Sequence, residues 1–260
     1  MIDIHSHILP GLDDGSKSWD MTLEMCRLAI KDGITHIVAT PHANDRYSYS
    51  RDRVRETIGE LSAKIGDQLS FGIGCDFHLS FENIEDAIAH PRRYTIASGK
   101  YLLVELSDFG IPPQVDDGLL KLNAAGMIAI ITHPERNAIL QRRPERVLEW
   151  VNAGCLVQVT ASAVSGYWGA IARRVALWLL EHRAVHVLAT DAHDDKNRVP
   201  ILSKARDAVA KRFDADFARS LVHDNPEAIV VGRPLPFCGP SEPPDGENEN
   251  LKNDRDSSAR

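Results

Sequence analysis

His5 and His7 close the segment Ile2-Asp3-Ile4-His5-Ser6-His7, which begins as a short apolar strand. On extended backbone residues two apart point the same way, and two imidazoles aimed at one point can hold a metal ion. Pro10-Gly11 marks a turn and Asp13-Asp14-Gly15 a second break. That loop can carry a carboxylate back over the two histidines, with Asp14 the expected donor and Asp13 the alternative.

The same arrangement recurs along the chain. Seven segments rich in β-branched or aliphatic residues read as strands: 2–5, 36–40, 70–76, 102–106, 127–132, 156–160 and 185–190. Thr40-Pro41-His42 follows the second, and Cys75-Asp76-Phe77-His78 the third. Glu105 ends the fourth, His133-Pro134-Glu135-Arg136 follows the fifth, and Asp191-Ala192-His193 the seventh. Six of seven strands therefore deliver His, Asp or Glu at their carboxyl ends, where a parallel βα barrel gathers its active site. The candidate metal ligands are His5, His7, Asp14, His42, Asp76, Glu105, His133, Asp191 and His193.

Nine donors exceed the three or four that one tetrahedral zinc takes. They suit two or three ions sharing carboxylates, with Glu105 and Asp191 the expected bridges. Mixed nitrogen and oxygen donors without thiolate suit manganese, iron or zinc. Arg136 and Arg198 lie close behind His133 and His193, and a guanidinium donates two parallel hydrogen bonds to phosphate. Several metals ringed by arginines point to phosphoester hydrolysis. His78 faces the same way as Asp76 and either lines the site or joins it. His36, His90, His182, His186 and His223 lack such placement and read as ordinary histidines, and Cys75 as a packing residue.

Positioning these groups requires strands alternating with helices, and helical periodicity occupies 22–31, 53–65, 119–125, 144–153 and 171–182. Gly33, Gly126 and Gly154 fall just past three of these, where a left-handed cap is expected. The expected fold is α/β, a closed or nearly closed barrel of seven βα units. No glycine-rich phosphate loop follows the first strand, which disfavours an open nucleotide-binding sheet. The ordered domain is expected to span 1–233. After Arg233, five prolines lead into a polar run with almost no apolar residue, so 234–260 is expected to be a disordered tail without catalytic role.

A net charge of -7 gives no basic footprint for nucleic acid. The four cysteines are scattered, which suits a reducing compartment better than a disulfide framework. No signal peptide or spanning segment is visible, so a cytoplasmic location is expected. None of the cysteines has an arginine six residues on, which excludes the cysteine-phosphatase loop.

The residues His5-Ser-His-Ile-Leu-Pro-Gly-Leu-Asp-Asp-Gly15, Thr40-Pro-His42, Glu105, His133-Pro-Glu-Arg136, Val159-Thr-Ala-Ser162 and Asp191-Ala-His193 resemble the PHP (polymerase and histidinol phosphatase) superfamily. They look most like its manganese-dependent protein-tyrosine phosphatases from bacterial capsular and exopolysaccharide clusters. The resemblance covers about residues 1–232. It implies a distorted seven-stranded, TIM-like (β/α)7 barrel (the PHP fold) with three metals. One ion would take His5, His7, Glu105 and Asp191, a second Asp76, Glu105 and His133, and the third Asp14, His42 and His193. Arg136 and Arg198 would bind phosphate. The implied cofactor is Mn2+ in two or three copies, with Fe or Zn as alternatives. The implied partner is an autophosphorylated bacterial tyrosine kinase, reached through a flexible tyrosine-bearing tail.

Two positions depart from the family pattern: Asp76 stands where Glu is usual, and Asn137 where Tyr is frequent. Such a site attacks phosphorus in line with a water whose pKa the metals bring to around 7, and a tyrosinate of pKa about 10 leaves without much protonation. Tyr47, Tyr49, Phe109 and Trp168 lie in loops after strands and either flank the phenyl ring or pack their loops. The alternative activity is a small-molecule phosphatase of the same superfamily, acting for example on histidinol phosphate. A metal-binding module without catalysis is a further reading, disfavoured by the complete donor set.

Overall fold

All seven apolar segments form strands in the structure, a computed structural model that describes residues 1–107, 110–112 and 114–237. The strands are β1 (Ile2–Ser6), β2 (His36–Ala39), β3 (His42–Ala43), β4 (Ser70–Ile73), β5 (Asp76–His78), β6 (Tyr101–Glu105), β7 (Ile128–Thr132), β8 (Leu156–Thr160) and β9 (Val187–Ala189). The expected strand 70–76 is interrupted, and a short strand is added beyond the expected 36–40. Pro41, which has no N–H for the ladder, separates β2 from β3. The break between β4 and β5 falls at Gly74, where a Cβ would lie 2.9 Å from Val38 Cγ1 and 3.0 Å from Thr40 Cγ2. The adjacent strand leaves room there for glycine alone.

Every strand pairing is parallel, in the orders β1-β2-β4 and β3-β5-β6-β7-β8-β9. With β2/β3 and β4/β5 each forming one stave, the two sheets make seven staves. The last stave returns to the first. A bridge joins Ser6 to Ala192, His7 N–H donates to Ala192 O at 2.8 Å, and Asp191 N–H donates to His5 O at 2.9 Å. The seam of the barrel therefore runs through the first and last metal-ligand candidates.

From β6 to β9 the side chains divide with period two, as strands require. Tyr101, Leu103, Ile130, Leu156, Val187 and Ala189 share one buried cluster with Ile229. The intervening Leu102, Val104, Ala129, Ile131, Val157, Val159 and Leu188 belong to the larger cluster with helix residues such as Leu122, Val147 and Leu179. Two positions past Leu103 and Leu156 on the first face stand Glu105 and Gln158, so the inner face turns polar at its carboxyl end.

Helices Trp19–Asp32, Arg51–Ile65 and Phe81–Ala89 follow staves one to three, and each starts on a serine (Ser18, Ser50, Ser80) whose side chain accepts a backbone N–H three residues on. Gly33, Gly126 and Gly154 have φ of 86°, 82° and 94°, the left-handed caps expected of them. Helices Phe81–Ala89, Ser203–Arg212, Ala215–Arg219 and Asn225–Val230 add to those expected. Asn225 bonds both the N–H and the C=O of Phe237, at 3.1 and 2.9 Å, and Phe237 packs on Phe217. The packed chain thus runs four residues past Arg233. Cys238 and the rest of the expected tail, like Phe109, lie outside the described residues. Among the described residues no helix is long and apolar enough to cross a membrane.

Candidate metal centre

His5 and His7 turn their Nε2 atoms to one point, 3.3 Å apart. Their other nitrogens are held from behind. Gln158 Oε1 lies 2.9 Å from His5 Nδ1, and Asp13 Oδ2 lies 2.6 Å from His7 Nδ1. Such partners fix which nitrogen faces a metal. Asp13 also accepts the N–H groups of Gly15 and His42, at 2.9 and 3.1 Å. It therefore supports His7 from outside, and Asp14 is the residue that enters the cluster, with Oδ1 3.3 Å from His42 Nε2 and 3.5 Å from His193 Nε2.

Three groups of donors converge, each with ligand atoms within 4.8 Å of one another: His7, Asp14, His42 and His193; His5, His7 and Asp76; and His42, Asp76 and Glu105. The grouping differs from the expected partition. Asp76, rather than Glu105, sits beside His5 and His7, and it appears in two of the three groups. The register explains this, because Asp76 opens β5 directly opposite His42 of β3 and is fully buried. A short side chain reaches the centre from there. Glu105 stands nearer the rim, 3.5 Å from His42 Nδ1, 3.7 Å from His133 Nε2 and 3.9 Å from His78 Nδ1.

Asp191 Oδ1 lies 3.4 Å from both His5 Nε2 and His7 Nε2. Its other oxygen accepts from Arg136 Nη1 and, at 2.5 Å, from Arg198 Nη2. His133, one residue past β7, and Asp191, two past β9, have φ of 34° and 49°. Non-glycine residues rarely adopt such backbone, and it clusters at functional sites.

The electrostatics follow from crowding. Burial and the neighbouring Asp76 push Glu105 up to about 8. Burial opposes charge on His7 and His42, yet the Asp13 carboxylate holds His7 up to about 9, and Asp14 and Asp76 hold His42 up to about 11. Burial and the nearby His7 push His193 down to about 4. Asp76 stays well below the carboxylate range against its burial, because His5 and His42 face it. Neither of its oxygens makes a well-formed hydrogen bond, nor does His42 Nδ1, which stands 3.1 Å from Asp76 Oδ2. A fully buried carboxylate ringed by imidazoles but with no hydrogen bond to either oxygen is costly, and a cation between them satisfies it; the donor set fits a metal.

A model of the family described as capsular polysaccharide synthesis, CpsB/CapC, matches residues 1–231. The chain belongs to the CpsB/CapC family. The putative tyrosine-protein phosphatase CapC of Staphylococcus aureus is 34% identical over 204 residues, 76% of this CpsB/CapC chain and 79% of that protein. Tyrosine-protein phosphatase YwqE of Bacillus subtilis is 30% identical over 94% of this chain and 96% of its own length. A crystal structure from work on YwqE and on CpsB of Streptococcus pneumoniae, metal-dependent tyrosine phosphatases, superposes with a TM-score of 0.86 at 30% identity, over 94% of this chain and 99% of that one. The distorted α/β barrel is thus the PHP fold of the CpsB/CapC family. Histidinol phosphate phosphatase of Lactococcus lactis, at 13% identity and a TM-score of 0.53 over 82% of this chain and 95% of that one, shares the fold alone.

Several parts of the site escaped the sequence. Gln158 orients His5, so the sixth stave also serves the centre; the signal is a polar residue amid the buried strand Leu156–Thr160. Tyr49 is a packing residue: it is buried, donates to Gly74 O at 2.9 Å and packs on Tyr94. Tyr47 lines the mouth, its ring nearly parallel to His42 at 6.0 Å. Asn137 holds its own loop, accepting from Ile139 N–H and donating to Ser107 O. The cavity at the mouth measures about 600 Å³ and is lined by Asp14, His42, Tyr47, His78 and Glu105 among others.

Proposed function

We propose that this chain is a metal-dependent protein-tyrosine phosphatase acting on an autophosphorylated tyrosine kinase of capsular or exopolysaccharide synthesis, with Mn2+ as its metal. The observation that carries the reading is Asp76: a fully buried carboxylate, with no hydrogen bond to either oxygen, shared by two of the three His and carboxylate groups. Nine residues are assigned to the metals: His5, His7, Asp14, His42, Asp76, Glu105, His133, Asp191 and His193. Metal ions held there would bring the pKa of a bound water to near 7 and offset the charge on phosphoryl oxygens.

The chain's own residues do the rest. Arg136 and Arg198 both present guanidinium groups at Asp191 Oδ2, and Arg198 Nε is buried with no partner. These donors bind the phosphoryl oxygens and oppose the charge that develops on them in the transition state. Asp13 and Gln158 keep His7 and His5 aimed inward. Tyr47 offers an aromatic face at the mouth. A tyrosinate leaving group, with a pKa of about 10, departs without a dedicated acid.

The test uses metal-stripped protein reloaded with Mn, Zn, Fe or Mg and assayed on a phosphotyrosine peptide and on histidinol phosphate. The proposal expects Mn to restore peptide hydrolysis best and histidinol phosphate to be the poorer substrate. Full activity in excess chelator overturns it. Preference for histidinol phosphate replaces it with the small-molecule reading.

A further inference from the structure

We infer that Trp168 is a positioning residue for phosphate capture, its indole holding the guanidinium groups of Arg136 and Arg198 ready for the phosphoryl oxygens. This rests on the phosphatase reading and adds a residue to it. Strand order sets up the contact. Arg136 follows β7, Trp168 follows β8, and Arg198 follows β9, and β8 is hydrogen-bonded to both neighbours. The tryptophan loop therefore stands between the two arginine loops.

Arg136 Cζ lies 3.9 Å from the indole ring centre, and Arg198 Cζ lies 5.3 Å from it. Both arginines also converge on one carboxylate oxygen of Asp191, and Arg198 Nη2 further donates to the Asp191 backbone O at 3.2 Å. Two like charges that share one carboxylate oxygen repel each other, and an arriving phosphate competes with that oxygen for the same N–H groups. An aromatic face attracts a guanidinium through its plane and takes none of its edge donors. The arginines can therefore change hydrogen-bond partner while their planes stay in place.

Trp168 is itself held. Its Nε1–H donates to Ser162 Oγ at 3.0 Å, Tyr167 packs edge-on at 5.4 Å, and Gly166 and Gly169, with φ of 91° and 88°, bracket it. These glycines take a backbone path that other residues rarely follow, and the loop delivers the ring at a fixed angle.

The test compares wild type, Trp168→Leu and Trp168→Phe as full-length, Mn-loaded protein. Inorganic phosphate binding is measured by calorimetry, KM and kcat on a phosphotyrosine peptide by steady-state kinetics, and Mn content by elemental analysis. The leucine variant should bind phosphate about tenfold more weakly, the loss expected for one well-placed cation–π contact and part of a second. KM should rise by a similar factor with Mn content unchanged, and phenylalanine should recover most of the loss. If the leucine variant does not fold, Ser162→Ala, which frees the indole N–H, should weaken phosphate about two- to threefold, the low end of one neutral hydrogen bond because the bond acts only through the ring's position. Phosphate affinity equal to wild type in these variants overturns the inference, as does equal loss in the leucine and phenylalanine variants. A wild type that binds no phosphate and hydrolyses no peptide overturns the phosphatase reading, and this inference with it.

Discussion

Asp13→Asn separates support of a ligand from ligation itself. Asp13 makes three bonds: to His7 Nδ1 at 2.6 Å, to His42 N–H at 3.1 Å and to Gly15 N–H at 2.9 Å. Two of these fall on Oδ2. Asparagine has one carbonyl oxygen, so either its NH2 faces the N–H groups of His7 and His42, or it turns and opposes Gly15. The larger loss is the charge-assisted bond to His7, since bonds to charged groups contribute about 1.5–3 kcal/mol. At about 1.4 kcal/mol per decade, Mn affinity should fall about ten- to hundredfold, the range seen when a residue behind a metal ligand is lost. The assay is a competition titration of Mn2+ against a chelator of known affinity, paired with peptide turnover at saturating Mn. Weakened metal with near-normal saturated turnover is expected. Affinity within twofold of wild type refutes the reasoning, and turnover abolished at saturating Mn shows that Asp13 acts in the reaction itself.

Gly15→Ala should destroy metal loading, because a Cβ there would lie 2.2 Å from His7 O and 2.4 Å from His7 Cβ; retained Mn content refutes this. Chelator-treated protein should be more stable at pH 6 than at pH 9. His7 and His42 are raised from an ordinary 6.5 to about 9 and about 11, so their pairing stabilises fully below about 6.5 and is lost as pH rises through those values. Glu105, raised to about 8, resists ionisation and adds a cost over about 4.5 to 8, with the same sign. Metal requires the deprotonated ligands, so Mn-loaded protein should gain in melting temperature relative to the stripped form as pH rises; a pH-independent difference counts against it. Replacing all four cysteines by alanine or serine should leave Mn-dependent turnover within a fewfold of wild type. Cys26, Cys75 and Cys155 are buried, and burial pushes Cys155 up to about 11 and Cys26 up to about 12, far from a thiolate nucleophile. Loss of turnover in a folded cysteine-free variant contradicts this.

The strands and the donors that follow them were legible because both obey short-range rules. Buried parallel strands read as apolar runs, and a polar residue just past a run stands out. What lay behind the donors was not legible, because it depends on which stave neighbours which. Gln158 meets His5 across 153 residues, and Asp76 reaches the centre through its register with His42. Asp13 and Asp14 are adjacent with identical chemistry, and only the turn at Gly15 decides which one faces inward. Gly74 carries its own residue signal, yet 70–76 reads as one piece, and β3, two residues long, leaves no apolar run of its own past Pro41. Helix Ser203–Arg212 was missed because few apolar residues mark its buried side, chiefly Ala205 and Val209; packing against the barrel, rather than its own pattern, holds it.

The central claim is that six loops pool their histidines and carboxylates into one cage for cations. Anomalous scattering at the manganese edge, from crystals of Mn-loaded protein, tests it most directly. Peaks are expected at the three donor groups, and the two that share the Asp76 carboxylate should be lost in Asp76→Ala. Peaks confined to other parts of the surface, or none in protein that still hydrolyses phosphotyrosine, would contradict it.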